Sequence, residues 1–127
     1  MRAPSAEDIE RIAEAAFETI PPVLREKIQG VVIRVEDFPD PETERAMELE
    51  SPFDLLGLYH GVSLVEKSVS DVRDDVDKIF LYRRGLLDYW CETDEELEAI
   101  IRHVLIHEIG HHFGFSDEDM EQIEAED

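Results

Sequence analysis

The segment from Leu97 to Phe113 is apolar round most of a helical circumference. Leu97, Ile100, Ile101, Val104, Leu105, Ile106, Ile109 and Phe113 recur at helical spacing. At about 100° per residue they cover well over half of the helix, where a surface helix needs only one apolar stripe. Such a helix must be enclosed by the rest of the chain. The chain has 127 residues, 43% of them apolar. That is enough for one domain with a real core, burying roughly two-thirds of its unfolded surface, and leaves no room for a second. Thr93-Asp94-Glu95-Glu96 predicts a capping box ahead of this helix. Gly114 fits the residue that ends it in a left-handed turn.

What surrounds the central helix is read from periodicity and punctuation. Ser5 and Asp8 form a loose capping signature, followed by Ile9, Ile12, Ala13, Ala16, Phe17 and Ile20 at helical spacing. Pro21-Pro22 stops that helix, and Val23 to Ile28 allows another turn or two. Val31 to Val35 is a β-branched run that predicts a strand, and Phe38 to Pro41 a turn. Glu42 to Leu49 suits a short helix. Leu56 to Leu64 suits a strand, with Gly57 and Gly61 read as bulges or turns. Asp77 to Tyr82 is a strand with Arg83-Arg84-Gly85 as its exit. The expected order is helix, strand, short helix, strand, strand, central helix and an acidic, solvated tail over 116–127. This is an α+β pattern around a small mixed sheet, in a single domain spanning 1–127.

Charge narrows the partners. Lys and Arg number 12 against 33 Asp and Glu, for a net charge of −21. Residues 64–85 balance five acids with five bases, whereas 86–127 carry 14 acids and one base, Arg102. Nucleic-acid phosphates and anionic membrane surfaces repel such a chain, so neither is an expected partner. The single cysteine, Cys91, excludes an intramolecular disulfide and any zinc site built on two cysteines of this chain. No secretory signal is visible, and apolar runs such as Val104-Leu105-Ile106 are too short to span a bilayer. The expectation is a cytoplasmic protein, monomeric by default.

The chemistry lies at the end of the central helix, where His107, Glu108 and His111 form His-Glu-x-x-His. Histidines four apart stand on one helix face, close enough to share a metal ion. Imidazole is a preferred zinc ligand. Glu108, next to the first of them, can reach the fourth coordination position without being a ligand, where a general base must sit. A catalytic zinc usually takes three protein ligands. Gly114 lets the chain double back, and Asp117 follows with a carboxylate; Glu118 and Asp119 are adjacent competitors. A bare His-Glu-x-x-His arises by chance in about 3% of such compositions. Requiring Gly114 and Asp117 as well brings this to about one in several thousand. Two neutral imidazoles and one carboxylate also suit iron or cobalt, so the site is read as holding one divalent ion, Zn²⁺ first.

The run His107 to Asp117, with its His112-Phe113-Gly114, resembles the zincin metallopeptidases, and more narrowly a family of small bacterial proteins with a minimal zincin-like fold. Gly57-Leu58-Tyr59-His60-Gly61 and Ile79-Phe80-Leu81-Tyr82-Arg83 are similar to that family too, so the likeness spans about residues 30 to 120. It implies a small twisted mixed sheet packed on the active-site helix, metal ligands at His107, His111 and Asp117, and a catalytic Glu108. It implies hydrolysis of a peptide bond in a peptide or protein substrate. The chain departs from the larger metzincins in carrying Asp117 where they have a third His. It also lacks the length for their separate Met-turn subdomain.

The remaining candidates have plainer readings. His103 to His111 spans about 12 Å of helix, too far for one ion to meet all three histidines, so His103 is read as structural or surface. His112, about 100° round from His111, is read as packing or supporting a ligand rather than binding zinc. His60 is a surface or sheet residue, Tyr59, Tyr82 and Tyr89 are packing residues, and Cys91 is a small buried hydrophobe. The leading expectation is a zinc-dependent peptidase. The alternative is a metal-binding or interaction module on the same scaffold with little peptidase activity, since few residues remain to build a deep cleft.

Overall fold

A computed structural model describes residues 2–28, 30–61 and 76–125. Helix α1 (Ala6–Phe17) starts at the predicted capping box. The Asp8 N–H donates to Ser5 Oγ and the Ser5 N–H to Asp8 Oδ2. Its Ile9 and Ala13 are buried. Pro22 opens the short helix α2 (Pro22–Arg25), which buries Leu24. Strand β1 (Val32–Glu36) follows, then α3 (Pro41–Ala46), capped by Asp40 accepting from the Thr43 N–H at 2.7 Å. Strand β2 is Gly57–His60, shorter than the predicted Leu56–Leu64, whose residues 62–64 lie outside the described ones. Strand β3 (Lys78–Tyr82) is followed by helices α4 (Arg83–Glu92), α5 (Leu97–His112) and α6 (Asp117–Ala125). The expected α+β class with a small mixed sheet is what forms. The strand order is β1-β3-β2, with β1 parallel and β2 antiparallel to the central β3.

Alternation in the strands sets which face meets the helices. Ile33, Ile79 and Tyr59 form one cross-strand row, and Val35, Leu81 and Gly57 the next. Ile79 and Leu81 are fully buried in one core with Ile9 and Leu24 and with Ile101, Leu105, Ile106 and Ile109 of α5. Helix α5 buries eight of its residues, Leu97 through Gly110, as a helix apolar on nearly all sides requires. Gly57 is no bulge but a straight strand residue. A Cβ there would lie 2.6 Å from Val104 Cγ1 and 3.1 Å from the Phe80 carbonyl oxygen, so only glycine lets β2 lie this close to α5.

Arg83-Arg84-Gly85 is the exit from β3, as expected, and runs straight into α4. That helix has no side-chain cap at Tyr82, and Gly85 is there for room, since a Cβ would meet the Leu55 carbonyl oxygen at 2.7 Å. Three local expectations are corrected. The box at Thr93 does not cap α5: the cap residue is Glu96, without a side-chain bond, while Thr93 Oγ1 accepts from the Glu95 N–H at 3.4 Å. Cys91 is exposed on α4 rather than buried. The segment read as a solvated acidic tail is helix α6, anchored by a fully buried Met120.

The α5–α6 contact is tight. A Cβ on Gly110 would lie 2.1 Å from Met120 Sδ and 2.9 Å from its Cγ. Met120 is at 0% exposure, so it has little room to withdraw. Alanine for glycine inside a helix normally gains about 1 kcal/mol, but overpacking a core costs about 1–3 kcal/mol. We therefore expect Gly110→Ala to lower the free energy of unfolding in chemical denaturation. In a Met120→Ala background the same change is expected to raise it. An equal effect in both backgrounds would mean that Met120 is not what excludes a side chain at position 110.

Candidate metal centre

Helix α5 ends through a glycine turn that re-aims the chain. Gly114 has φ of +88°, a left-handed conformation that costs glycine little. The Gly114 N–H donates to the His111 carbonyl at 3.1 Å and the Phe115 N–H to the Gly110 carbonyl at 2.8 Å. These two bonds satisfy the last carbonyls of α5 in a Schellman-type closure. Ser116 then caps α6. The Asp119 N–H donates to Ser116 Oγ and the Ser116 N–H to Asp119 Oδ2, both at 3.0 Å. Asp117 is thus the first residue of a helix that runs back along α5.

The turn brings the sequence-predicted ligands together. One ligand atom each from His107, His111 and Asp117 lies within 4.8 Å of the others. His111 Nε2 and Asp117 Oδ1 are 2.7 Å apart. This hydrogen bond holds the Asp117 carboxyl below its ordinary value, helped by the nearby charges of His111 and His107. Glu118 and Asp119, the competing carboxylates, are not in this group, and Asp119 is spent on capping. Two imidazoles and a carboxylate within that radius suit Zn²⁺, whose bonds are about 2.0–2.2 Å long, after a small inward shift of each ligand.

Glu108 stands about 60–100° round the helix from the two histidines, on the side toward β2. Its Oε1 accepts from the Tyr59 N–H at 3.2 Å, a bond between α5 and β2, an edge strand among the described residues. Burial pushes its carboxyl above the ordinary value; the Tyr59 N–H and the His111 charge oppose that rise without cancelling it. A half-buried carboxylate with a raised proton affinity beside a candidate metal centre has the character of a general base.

Several neighbours join the site without a sequence signal of their own. The Tyr59 hydroxyl donates to Asp77 Oδ2 at 2.7 Å, and the Tyr59 ring stacks on His112 at a centroid separation of 3.9 Å. His112 thus packs, as expected, and takes the edge strand as its partner. Tyr59 orients Glu108 through its backbone, which no side-chain pattern signals. Glu124, two turns along α6, meets two histidines at once: its Oε2 is 3.2 Å from His103 Nδ1, and its Oε1 is 3.3 Å from His107 Nε2. The one hint of Glu124 is its seven-residue offset from Asp117, legible only once α6 is a helix. His60 is exposed and lies at the edge of the Phe80 ring, as a plain sheet residue.

Burial and nearby acids also act on Tyr82, at the end of β3. Its phenol is pushed up to about 12, first by burial and then by Glu36, Asp40 and Glu108. A raised phenol in the folded state means stability that is full below pH 10 and lost as pH rises toward 12. We expect the free energy of unfolding to fall between pH 9 and 11.5 on account of this group. Denaturation of Tyr82→Phe across the same range is expected to show a flatter decline. Parallel curves for the two proteins would exclude Tyr82 as a cause.

The zincin-like metallopeptidase family matches residues 28–126 of this chain. No curated protein matches it. Among solved structures, a conserved hypothetical protein from Thermo thermophilus superposes with a TM-score of 0.53 at 22% identity, covering 97% of this chain and 100% of that one. At that identity the likeness speaks for the fold alone. Among the described residues no helix is long and apolar enough to cross a membrane. With the match over more than three-quarters of its length, the chain belongs to the zincin-like metallopeptidase family.

Proposed function

We propose that this protein is a zinc-dependent peptidase. The observation that carries the reading is the gathering of one ligand atom each from His107 and His111 of α5 and Asp117 of α6 within 4.8 Å, beside a half-buried Glu108 turned toward β2. His107, His111 and Asp117 hold one Zn²⁺. The ion, once bound, supplies a Lewis acid for the scissile carbonyl and lowers the pKa of water. Glu108 takes the proton of the attacking water and returns it to the leaving amine. Its raised proton affinity suits both halves of that exchange. The Tyr59 N–H keeps Glu108 aimed while it does so. The substrate is a peptide or protein segment, and β2, which among the described residues lies at the edge of the sheet beside Glu108, is where an extended chain can add as a further strand. Neither nucleic acid nor a membrane surface is a partner, on charge.

The test joins metal content to hydrolysis. Elemental analysis of the wild type is expected to find about one tightly held zinc per chain, with affinity in His111→Ala weakened by more than about a hundredfold. Glu108→Gln is expected to keep its zinc and lose a factor of about 10² to 10⁴ in cleavage of a peptide library. A wild type that takes up no zinc on reconstitution, or a Glu108→Gln that cleaves as fast as wild type, would overturn the reading. Zinc binding without any cleavage would leave a metal-binding module on this scaffold.

A further inference from the structure

The two antiparallel helices α5 and α6 carry more ligands than one ion can use. His103, His107 and His111 stand at four-residue intervals on one face of α5, spanning about 12 Å. Opposite them on α6, Asp117 and Glu124 are seven residues apart, about 10.5 Å along the axis. The spacings match, so each end of the histidine ladder meets its own carboxylate. His111 faces Asp117, and His103 with His107 faces Glu124. We propose that His103, His107 and Glu124 form a second divalent-cation site, which shares His107 with the first centre.

The geometry is that of a cation cradle. Ligand atoms of His103, His107 and Glu124 lie within 4.8 Å of one another. The two Glu124 oxygens reach in different directions, Oε2 to His103 Nδ1 at 3.2 Å and Oε1 to His107 Nε2 at 3.3 Å. The His103 and His107 rings lie 3.9 Å apart, closer than the 6.0 Å between His107 and His111. Glu124 and His107 are partly buried, with side-chain exposures of 24% and 19%, while His103 at 55% leaves a side open to solvent. Two neutral imidazoles and one carboxylate make the same donor set as the first centre, suited to Zn²⁺ or Co²⁺. Surrounding acids of α6, Glu121 among them, raise the local cation concentration.

Sharing His107 gives the second site a consequence for the first. An ion held by His103, His107 and Glu124 draws that imidazole away from His111 and Asp117. Excess metal therefore competes with the proposed catalytic arrangement for one ligand. This consequence rests on the peptidase reading; the existence of the site does not.

The test removes the first centre and asks what remains. His111→Ala/Asp117→Ala is titrated with Co²⁺, following visible d–d absorbance, which reports coordination directly. It is expected to take up about one Co²⁺ per chain, and adding Glu124→Gln or His103→Ala is expected to weaken uptake by about tenfold or more. Far-UV circular dichroism checks that each variant is folded. A second arm covers misfolding of the double variant. In the otherwise unaltered chain, the spectral change between one equivalent and an excess of Co²⁺ is expected to vanish in Glu124→Gln. No uptake by the folded double variant, or uptake and spectra indifferent to both Glu124 and His103, would overturn the second site. The peptidase reading fails on different outcomes, namely cleavage unchanged by Glu108→Gln or, in a Glu124→Gln background that lacks the second site, zinc affinity unchanged by His111→Ala.

Discussion

The enclosure of α5 is the constraint on which the rest of this structure depends. A helix with Ile100, Ile101, Leu105, Ile106 and Ile109 all out of water needs neighbours on several sides. The sheet supplies one through Ile79 and Leu81, α1 another through Ile9 and Ala13, and α6 a third through Met120. Two of these approaches exist only because a side chain is missing, at Gly57 against Val104 and at Gly110 against Met120. The first brings the edge strand close enough for the Tyr59 N–H to meet Glu108. The second lays α6 along the histidine face. Packing thus sets the positions of the polar groups rather than the reverse.

The candidate centre is a set of groups arranged against their own preferences. Glu108 bears a charge in a place where burial disfavours it, partly offset by one backbone N–H. Asp117 is stabilised as an anion by His111, at the exposed start of α6. Two carboxylates nine residues apart are thereby pushed in opposite directions, one up and one down. That divergence suits the proposed roles, Glu108 carrying a proton and Asp117 holding an ion. On a helix, Asp117 and Glu124 face the histidines in register, where an extended tail would leave them dispersed.

Much of this was legible in the sequence because it is local. His107, Glu108 and His111 share a helix turn, and helical periodicity alone fixes their relative placement. Gly114 announced the left-handed turn, and the Ser5–Asp8 box announced α1. Apolar periodicity over Leu97 to Phe113 foretold a buried helix, and the β-branched and aromatic runs foretold β1 and β3. The resemblance of His107 to Asp117 to a known family pointed to the same fold. Local signals misled where one residue type serves two ends. Glycine punctuates loops in most chains, but here Gly57 makes room for Val104. Thr93 and Glu96 match a capping box, yet α5 starts one residue after Glu96, and Thr93 turns to the Glu95 N–H instead.

What the sequence determined by itself is largely local: the His-Glu-x-x-His face, the cap at Ser5, and the apolar burden of α5. Only the tertiary structure decided that Tyr59 would hold Glu108, that Asp77 and His112 would hold Tyr59, and that Glu124 would stand opposite two histidines. Those partners are separated by up to 53 residues along the chain, between Tyr59 and His112. Their meeting follows from the summed burial of many apolar side chains, a quantity that no short window of sequence contains.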